Sequence, residues 1–398
     1  MSLTGFLGLR KNIAALLGAV VLLEFGERMG ERFLPVYIMA LGGGAMAVGI
    51  LGGLTNLLGA LYSFPGGWLS DRIGYRRSLI IFDAVAMAGY LVVVLIPAWQ
   101  AAVAGSALFL CWSSVSLPAI MSAISGMLPK EKRTMGVSMH SIVRRIPKAL
   151  GPLLGGACIA AWGETGGVRA AFMISFILAL AGMFFQLRFI EEPLRAGAGA
   201  GAGVGARGMK NPLEILSAMD PDLKHLLVSD ILVRFCEQIP YAFIVVWAMK
   251  HAGVSAVQFG WLTALEMIVA MVVYIPVAWL VEKTGRKKPF VALTFAFFAL
   301  FPLVLMFARS FWMLALAFAV RGMKELGEPT RKALILDLAG DQSRATVYGA
   351  YYLIRDVIVS VAALGGGFLW LVSPEANLVV SSVFGVAAVF YVLRFCKA

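Results

Sequence analysis

Glu24, Glu27, Arg28, Glu31 and Arg32 interrupt the first long apolar run of this chain. On a helix turning 100° per residue they fall within an arc of about 140°, so one face presents them all and Met29 and Phe33 lie opposite. Carboxylates beside guanidiniums can exchange protons, pair with one another or hold a charged solute. Burial opposes ionisation of such a carboxyl and a neighbouring arginine favours it. Similar stripes recur further along: Asp230, Arg234 and Glu237; Arg321, Lys324, Glu325 and Glu328; His140, Arg144 and Lys148; Arg355 with Asp356; and Glu266 alone. Each ionisable group costs about 2.5–3.5 kcal/mol at the centre of a membrane helix, so such groups face a polar cavity or pair with each other. These residues are the candidates for a cavity that binds solute or protons: Glu24, Glu27, Arg28, Glu31, Arg144, Arg234, Glu237, Glu266, Arg321, Glu325, Arg355 and Asp356. Arg144, Lys148, Arg331 and Lys332 lie nearer a membrane surface and can snorkel to it.

The elements that position them are read from composition. Of 398 residues, 60% are hydrophobic and 14% charged, too apolar for a soluble core to hide. The chain is an all-α polytopic membrane protein by this reading, and its 43 glycines and 16 prolines suit membrane helices. The net charge of +12 falls mostly in loops between apolar segments, which is the positive-inside pattern and excludes nucleic acid as the reason for it. A spanning helix needs about 20 apolar residues. Twelve are predicted, near 13–38, 45–69, 77–97, 101–127, 138–161, 168–189, 225–250, 256–281, 289–308, 311–336, 346–372 and 376–395. Alternate loops carry Arg72, Arg76 and Arg77; Lys130, Lys132 and Arg133; Arg195, Arg207 and Lys210; Lys283, Arg286, Lys287 and Lys288; and Arg344. Both termini are therefore expected in the cytoplasm, with the chain in the cytoplasmic (inner) membrane. Glu24, Glu27 and Arg28 and the lack of a small-residue cleavage site mark the first run as a retained helix rather than a signal peptide.

The Gly/Ala tract from Arg195 to Arg207 has no side chains with which to build a core and reads as a linker. The expected organisation is a six-helix bundle over 1–190, a linker over 191–222 and a second bundle over 223–398. Asp220-Pro221-Asp222 looks like the start of the seventh helix. Cys111, Cys158, Cys236 and Cys396 form no CxxC pair and read as packing residues. His140, His225 and His251 give no metal-ligand spacing. No HExxH, GxSxG or nucleotide-binding GxxxxGK[ST] occurs, so neither a metal, a cofactor nor an enzymatic role is expected, and the work is expected to be driven by a gradient.

The two halves repeat. At an offset of 211 residues, Pro65 matches Pro276, Trp68 matches Trp279, Asp71 is replaced by Glu282 and Gly74 matches Gly285. Pro118 matches Pro329, Arg133 matches Arg344, Arg144 matches Arg355, and Gly155-Gly156 match Gly366-Gly367. The charges of the seventh helix stand five residues out of this register against those of the first. Either an insertion follows the seventh helix or that likeness is fortuitous.

The stretch Gly66-Gly67-Trp68-Leu69-Ser70-Asp71-Arg72-Ile73-Gly74-Tyr75-Arg76-Arg77 resembles the loop 2–3 signature of the major facilitator superfamily, G-x-L-x-D-R-x-G-R-[RK]. Tyr75 stands where arginine is commoner. The resemblance extends to length, helix number, duplication and central linker. It implies two pseudo-symmetric six-helix bundles that rock about a midplane site, with helices three, six, nine and twelve peripheral. It also implies a gate built from Gly67, Asp71, Arg72, Gly74, Arg76 and Arg77, and from Glu282 and Gly285 in the second copy. Asp71 would latch the halves near the positive start of helix eleven. Gly151-Pro152-Leu153-Leu154-Gly155-Gly156 resembles the core of a helix-five motif found in exporters of the family, with Pro147 at its first glycine position. The arginine the family often places in helix four is missing. Glu24-Phe25-Gly26-Glu27-Arg28 resembles the ExxER start of the proton-coupled oligopeptide transporters, without its aromatic tail.

The expectation is a monomeric secondary transporter working by alternating access, coupled to protons. It would move a polar anionic or zwitterionic small molecule, with export favoured. Alternatives are a multidrug/proton antiporter, a flippase for a lipid with a charged headgroup, and a membrane receptor or scaffold that does not transport.

Overall fold

The computed structural model describes residues 11–109, 112, 116, 120, 144–189, 212–284, 286–338 and 344–396, which form helices and short turns. Parts of twelve spans can be followed among the described residues. The first runs Lys11–Glu31 and continues as Leu34–Ala40; the second is Gly44–Ile73 and the third Tyr75–Leu95. The fourth begins as Trp99–Phe109, with Trp112, Ser116 and Ile120 also helical. The fifth and sixth form one run, Arg145–Phe189, broken at Gly163. After a short helix, Pro212–Ala218, the seventh runs Pro221–Tyr241 and Ile244–His251, bent by 42°. The rest are Ala256–Thr284, Lys288–Phe307, Phe311–Met323 with Glu328–Leu338, Arg344–Val372 and Pro374–Phe395. Seven of the described helices pass for membrane spans by length and composition alone, or eight with the bent pair. The fifth and sixth count there as one helix, the first is too charged, and the fourth and tenth are too short as continuous pieces.

Local chemistry sets the boundaries. Asp220 caps the seventh span by accepting from the Asp222 amide at 2.8 Å, with Pro221 in the first turn. Ser310 and Ser373 cap the tenth and twelfth in the same way. Gly74 at φ 89° carries the chain from the second span into the third, and Gly163 at φ 73° makes the fifth-to-sixth turn where a loop is predicted. A side chain at either would be strained.

Three predicted helices, the first, seventh and tenth, are not continuous. The tenth, expected over 311–336, opens into turns after Met323, so its charges do not share one straight stripe. The first breaks at Arg32–Phe33. Its break and that of the seventh settle the register between the halves. The second segments are capped by Phe33 and Phe243, 210 residues apart. Gly155 of the fifth span would place a Cβ 2.0 Å from the Met29 carbonyl oxygen; Gly366 of the eleventh would place one 2.2 Å from that of Ile239. These close approaches match at the same offset in the first and seventh spans. No insertion is needed. Glu27 is the counterpart of Glu237 and Glu24 that of Arg234, so the likeness between the two charged stripes is fortuitous.

The seventh span's bend has a specific cause. Pro240 has no N–H, so the Cys236 carbonyl loses its helical donor. Ser381 of the twelfth span supplies one, its Oγ donating at 2.5 Å. In the first half Ser175 donates to the Gly26 carbonyl at 2.6 Å, 210 residues before Cys236.

Two compact units result. One comprises Met1–Gly42 with Leu58–Arg207, the other Gly43–Leu57 with Gly208–Ala398. The first has a ring cluster of Tyr90, Phe109 and Phe172, with centroids 4.9 to 5.9 Å apart. The second packs Leu223, Leu226, Phe295, Ile335, Tyr351 and Val392 into its core. Gly43–Leu57 joins this second unit through glycines: a Cβ on Gly49 would meet the Gly367 Cα at 2.9 Å. In the same unit Asn56 donates to the Gln238 side-chain oxygen at 3.1 Å.

Candidate functional site

In the first unit, Glu24 is paired with Arg144 of the fifth span, and Arg28 with Glu31 one turn away. Glu27 lies between these pairs along the helix, only 2% exposed. It forms no ion pair among the described residues, and its Oε2 has no hydrogen-bond partner. Met29 and Phe33, on the opposite face, are buried against neighbouring helices rather than turned to lipid.

In the second unit the charges close on one another. Glu237 is held at 2.5 Å by Arg234 and at 2.6 Å by Lys324 of the tenth span. Glu266 of the eighth span lies 3.3 Å from Arg321 and 4.0 Å from Lys324. Three rings, Tyr241, Phe301 and Phe318, surround the Arg321 guanidinium. A second knot centres on Asp230. It is paired with Arg331, lies 3.2 Å from Arg355 and 3.9 Å from Arg234, and accepts from the Tyr351 hydroxyl at 3.2 Å. Arg331 also grips both oxygens of Glu328, at 2.6 and 2.7 Å. Asp356 takes the remaining edge of Arg355 at 2.7 Å. Glu325 is half-buried and makes no ion pair among the described residues.

Sequence spacing found most of these groups and missed three things. Arg331, assigned a lesser role near a surface, is 1% exposed and central to the Asp230 knot. The partnering crosses helices, which periodicity along one helix does not register. The third span, which the family resemblance makes peripheral, also holds a buried carboxylate that the charged stripes do not include, Asp83; Trp112 donates to its Oδ1 at 2.7 Å. A lone aspartate between apolar residues carries no periodic signal.

Of the expected gate, Gly74 forms the turn described above. Arg76 donates to the Leu187 carbonyl at 2.5 Å, and Arg77 is exposed. Arg72 lies over the Trp68 ring at 5.2 Å, and Lys283 over the Trp279 ring at 4.9 Å, the same pair 211 residues on. Exposed tryptophan beside a cation is the pattern of a membrane–water boundary. Gly67 is helical, but the side chains of Asp71 and Glu282 lie outside the described residues, as do Gly285, His140, Cys111, the loop bearing Lys130, Lys132 and Arg133, and the linker from Arg195 to Lys210.

The sequence profile of the Major Facilitator Superfamily matches residues 16–234 and 226–397, nearly the whole chain in two copies. An uncharacterized MFS-type transporter of Methanocaldococcus jannaschii is 22% identical over 95% of this chain and 93% of its own. Among solved structures, the human organic anion transporter MFSD10 (TETRAN) superposes with a TM-score of 0.64 at 16% identity, covering 96% of this chain and 99% of that one. A variant of the peptide transporter POT in complex with alafosfalin gives 0.73 at 17% identity, over 97% and 93%. Two six-helix bundles, an internal repeat and a profile match in both halves have one reading: the chain belongs to the Major Facilitator Superfamily and is an integral membrane transporter of that type.

Proposed function

We propose that this chain is a proton-coupled secondary transporter, working by alternating access, and that Glu27 takes the coupling proton. The carrying observation is the isolation of Glu27: a buried carboxyl with an unpartnered oxygen, flanked by pairs that satisfy Glu24 and Glu31. A buried carboxylate with no counter-ion costs several kcal/mol, and binding a proton removes that cost. Glu237, its counterpart, has two cations within 2.6 Å and no such need.

The proposed substrate is a polar anionic or zwitterionic small molecule. Within each unit one arginine of the charged cluster is the more open to an anionic group, Arg144 in the first and Arg234 in the second, each about one-fifth exposed, where Arg321 and Arg331 are nearly covered. The lean toward export rests on the likeness of Gly151-Pro152 and Gly155-Gly156 to the exporter motif. The distribution of lysine and arginine between loops supports cytoplasmic termini in an inner membrane, and the loop 2–3 signature supports a gating role for Asp71. An alkaline phosphatase fused after Ala398 should be inactive.

The experiment has two steps. A thermal-shift screen of organic anions, zwitterionic dipeptides and lipophilic cations names the substrate class, because a ligand that prefers the folded state raises apparent stability by mass action. Proteoliposomes then compare wild type with Glu27→Gln. The variant should lose accumulation driven by a pH gradient and keep substrate exchange. Wild-type accumulation in Glu27→Gln overturns the assignment of Glu27, and stabilisation by the lipophilic cations alone overturns that of the substrate.

A further inference from the structure

Asp83 stands in the middle of the third span, outside the charged stripes of the first and fifth, and it is fully buried. Its Oδ1 accepts the indole N–H of Trp112 at 2.7 Å. Its Oδ2 has no hydrogen-bond partner. The side chain of Gln186, on the sixth span, faces the same carboxyl; it is 1% exposed, and its Oε1 is likewise without a partner. One donor, the Trp112 indole, thus serves a fully buried carboxyl whose second oxygen is unsatisfied, and a proton carried on that oxygen would let it donate instead.

The cations nearby do not supply the missing charge. Arg76, two turns earlier on the third span, is about 10 Å away along the helix axis at 1.5 Å per residue, and it is spent on the Leu187 carbonyl. Arg188 on the sixth span is exposed and lies over Phe189. On the first span Arg28 is paired with Glu31. Tyr90, two turns later on the third span, and Tyr75, two turns earlier, are the other titratable groups among that helix's buried residues. Asp83 makes no ion pair among the described residues. The equivalent position in the second half is Thr294, whose hydroxyl accepts the Gly327 amide at 2.8 Å. There a neutral acceptor does the tying between the ninth and tenth spans. A carboxyl in its place does the same tying at least cost when it is neutral, since a buried carboxylate with no ion pair among the described residues is costly.

We propose that Asp83 is a proton-binding site of the first bundle, a neutral carboxylic acid whose Oδ1 accepts from Trp112 and whose Oδ2 carries a proton shared with Gln186. It is separate from Glu27 and does not rest on the role given to that residue. Loss of its proton leaves a buried anion held by Trp112 and Gln186 alone. Deprotonation therefore has to be accompanied by repacking of the third span against the fourth and sixth, which makes the site a proton-linked switch inside one bundle.

Infrared difference spectra of the full chain in lipid nanodiscs, taken between acid and alkaline pH, test this. Wild type should show the carbonyl stretch of a neutral carboxylic acid that shifts in D2O. The band should vanish in Asp83→Asn, persist in Glu27→Gln, and move in frequency in Trp112→Phe, which removes the donor to that carbonyl. Asn keeps an acceptor for Trp112 and a donor for Gln186, so Asp83→Asn should fold. If it does not, the Trp112→Phe shift alone decides. Because a protonated Glu27 gives a band of its own, the decisive comparison is made in the Glu27→Gln background: should the neutral-acid band seen there survive when Asp83→Asn is added, or stay at the same frequency when Trp112→Phe is added, Asp83 is an ionised carboxylate and the proposal fails.

Discussion

Glu27 and Glu237 stand 210 residues apart, each ahead of a break in the first helix of its bundle, Glu27 buried and Glu237 one-tenth exposed. Glu237 is clasped by Arg234 and Lys324. Glu27 has no ion pair among the described residues, and its Oε2 has no hydrogen-bond partner. The position of Arg234 is taken in the first half by Glu24, so an acid replaces the base that would have steadied the neighbour. Duplicated backbones have kept their packing while exchanging charges at matched sites. In the second unit Asp230, Glu237, Glu266 and Glu328 all have cationic partners. The first keeps a carboxyl whose charge is not prepaid, the kind of group whose protonation can change.

The contrast can be broken most forcefully at Arg331. Arg331→Met leaves Asp230 and Glu328 short of their strongest partner and should destabilise the protein by about 3–5 kcal/mol, the range for breaking a buried pair. Arg144→Met, which exposes Glu24 in the first unit, should cost less because Arg144 is one-fifth exposed. Thermal unfolding in detergent compares them, and a reversed order would refute the closed-network reading. Next, Glu237→Gln strands two cations and should cost about 2–4 kcal/mol, whereas Glu27→Gln strands none and should be neutral or stabilising. Equal losses would erase the distinction between the two acids. Gly155→Ala and Gly366→Ala should each cost about 1–3 kcal/mol from overpacking against a carbonyl, and similar losses in both would confirm that the packing is shared where the charge is not. The smallest difference separates Ser381→Ala from Ser175→Ala. Only Ser381 serves a carbonyl that a proline has deprived of its donor, so its loss should cost about 1–2 kcal/mol and that of Ser175 roughly half as much.

Much of the fold was legible because membrane spans announce themselves by composition, and because Trp68 with Trp279 and Gly155 with Gly366 mark a duplication. What the chain alone did not disclose is which charge meets which. Arg331 and Asp230 are 101 residues apart, and no periodicity links them. The break of the tenth span after Met323 was hidden for a related reason: Lys324, Glu325 and Glu328 fit a straight helical stripe perfectly well, and only the pull of Glu237 and Glu266 on one side and of Arg331 on the other shows that they do not occupy one. Asp83 was overlooked because one polar residue has no pattern, while its partners Trp112 and Gln186 lie 29 and 103 residues away.

The buried ion network of the second unit also bears on how the protein is made. Taken alone, the tenth span presents Arg321, Lys324, Glu325, Glu328, Arg331 and Lys332 to lipid, at about 2.5–3.5 kcal/mol apiece near the bilayer centre. No such segment leaves the translocon stably by itself. Its partners all precede it in synthesis: Asp230, Arg234 and Glu237 on the seventh span and Glu266 on the eighth are already threaded when it emerges. The tenth span is therefore expected to enter the bilayer against the seventh and eighth, neutralised by their acids. Biogenesis of this half is obliged to be cooperative, and the charges that shape the finished transporter also fix the order in which its helices can be released into the bilayer.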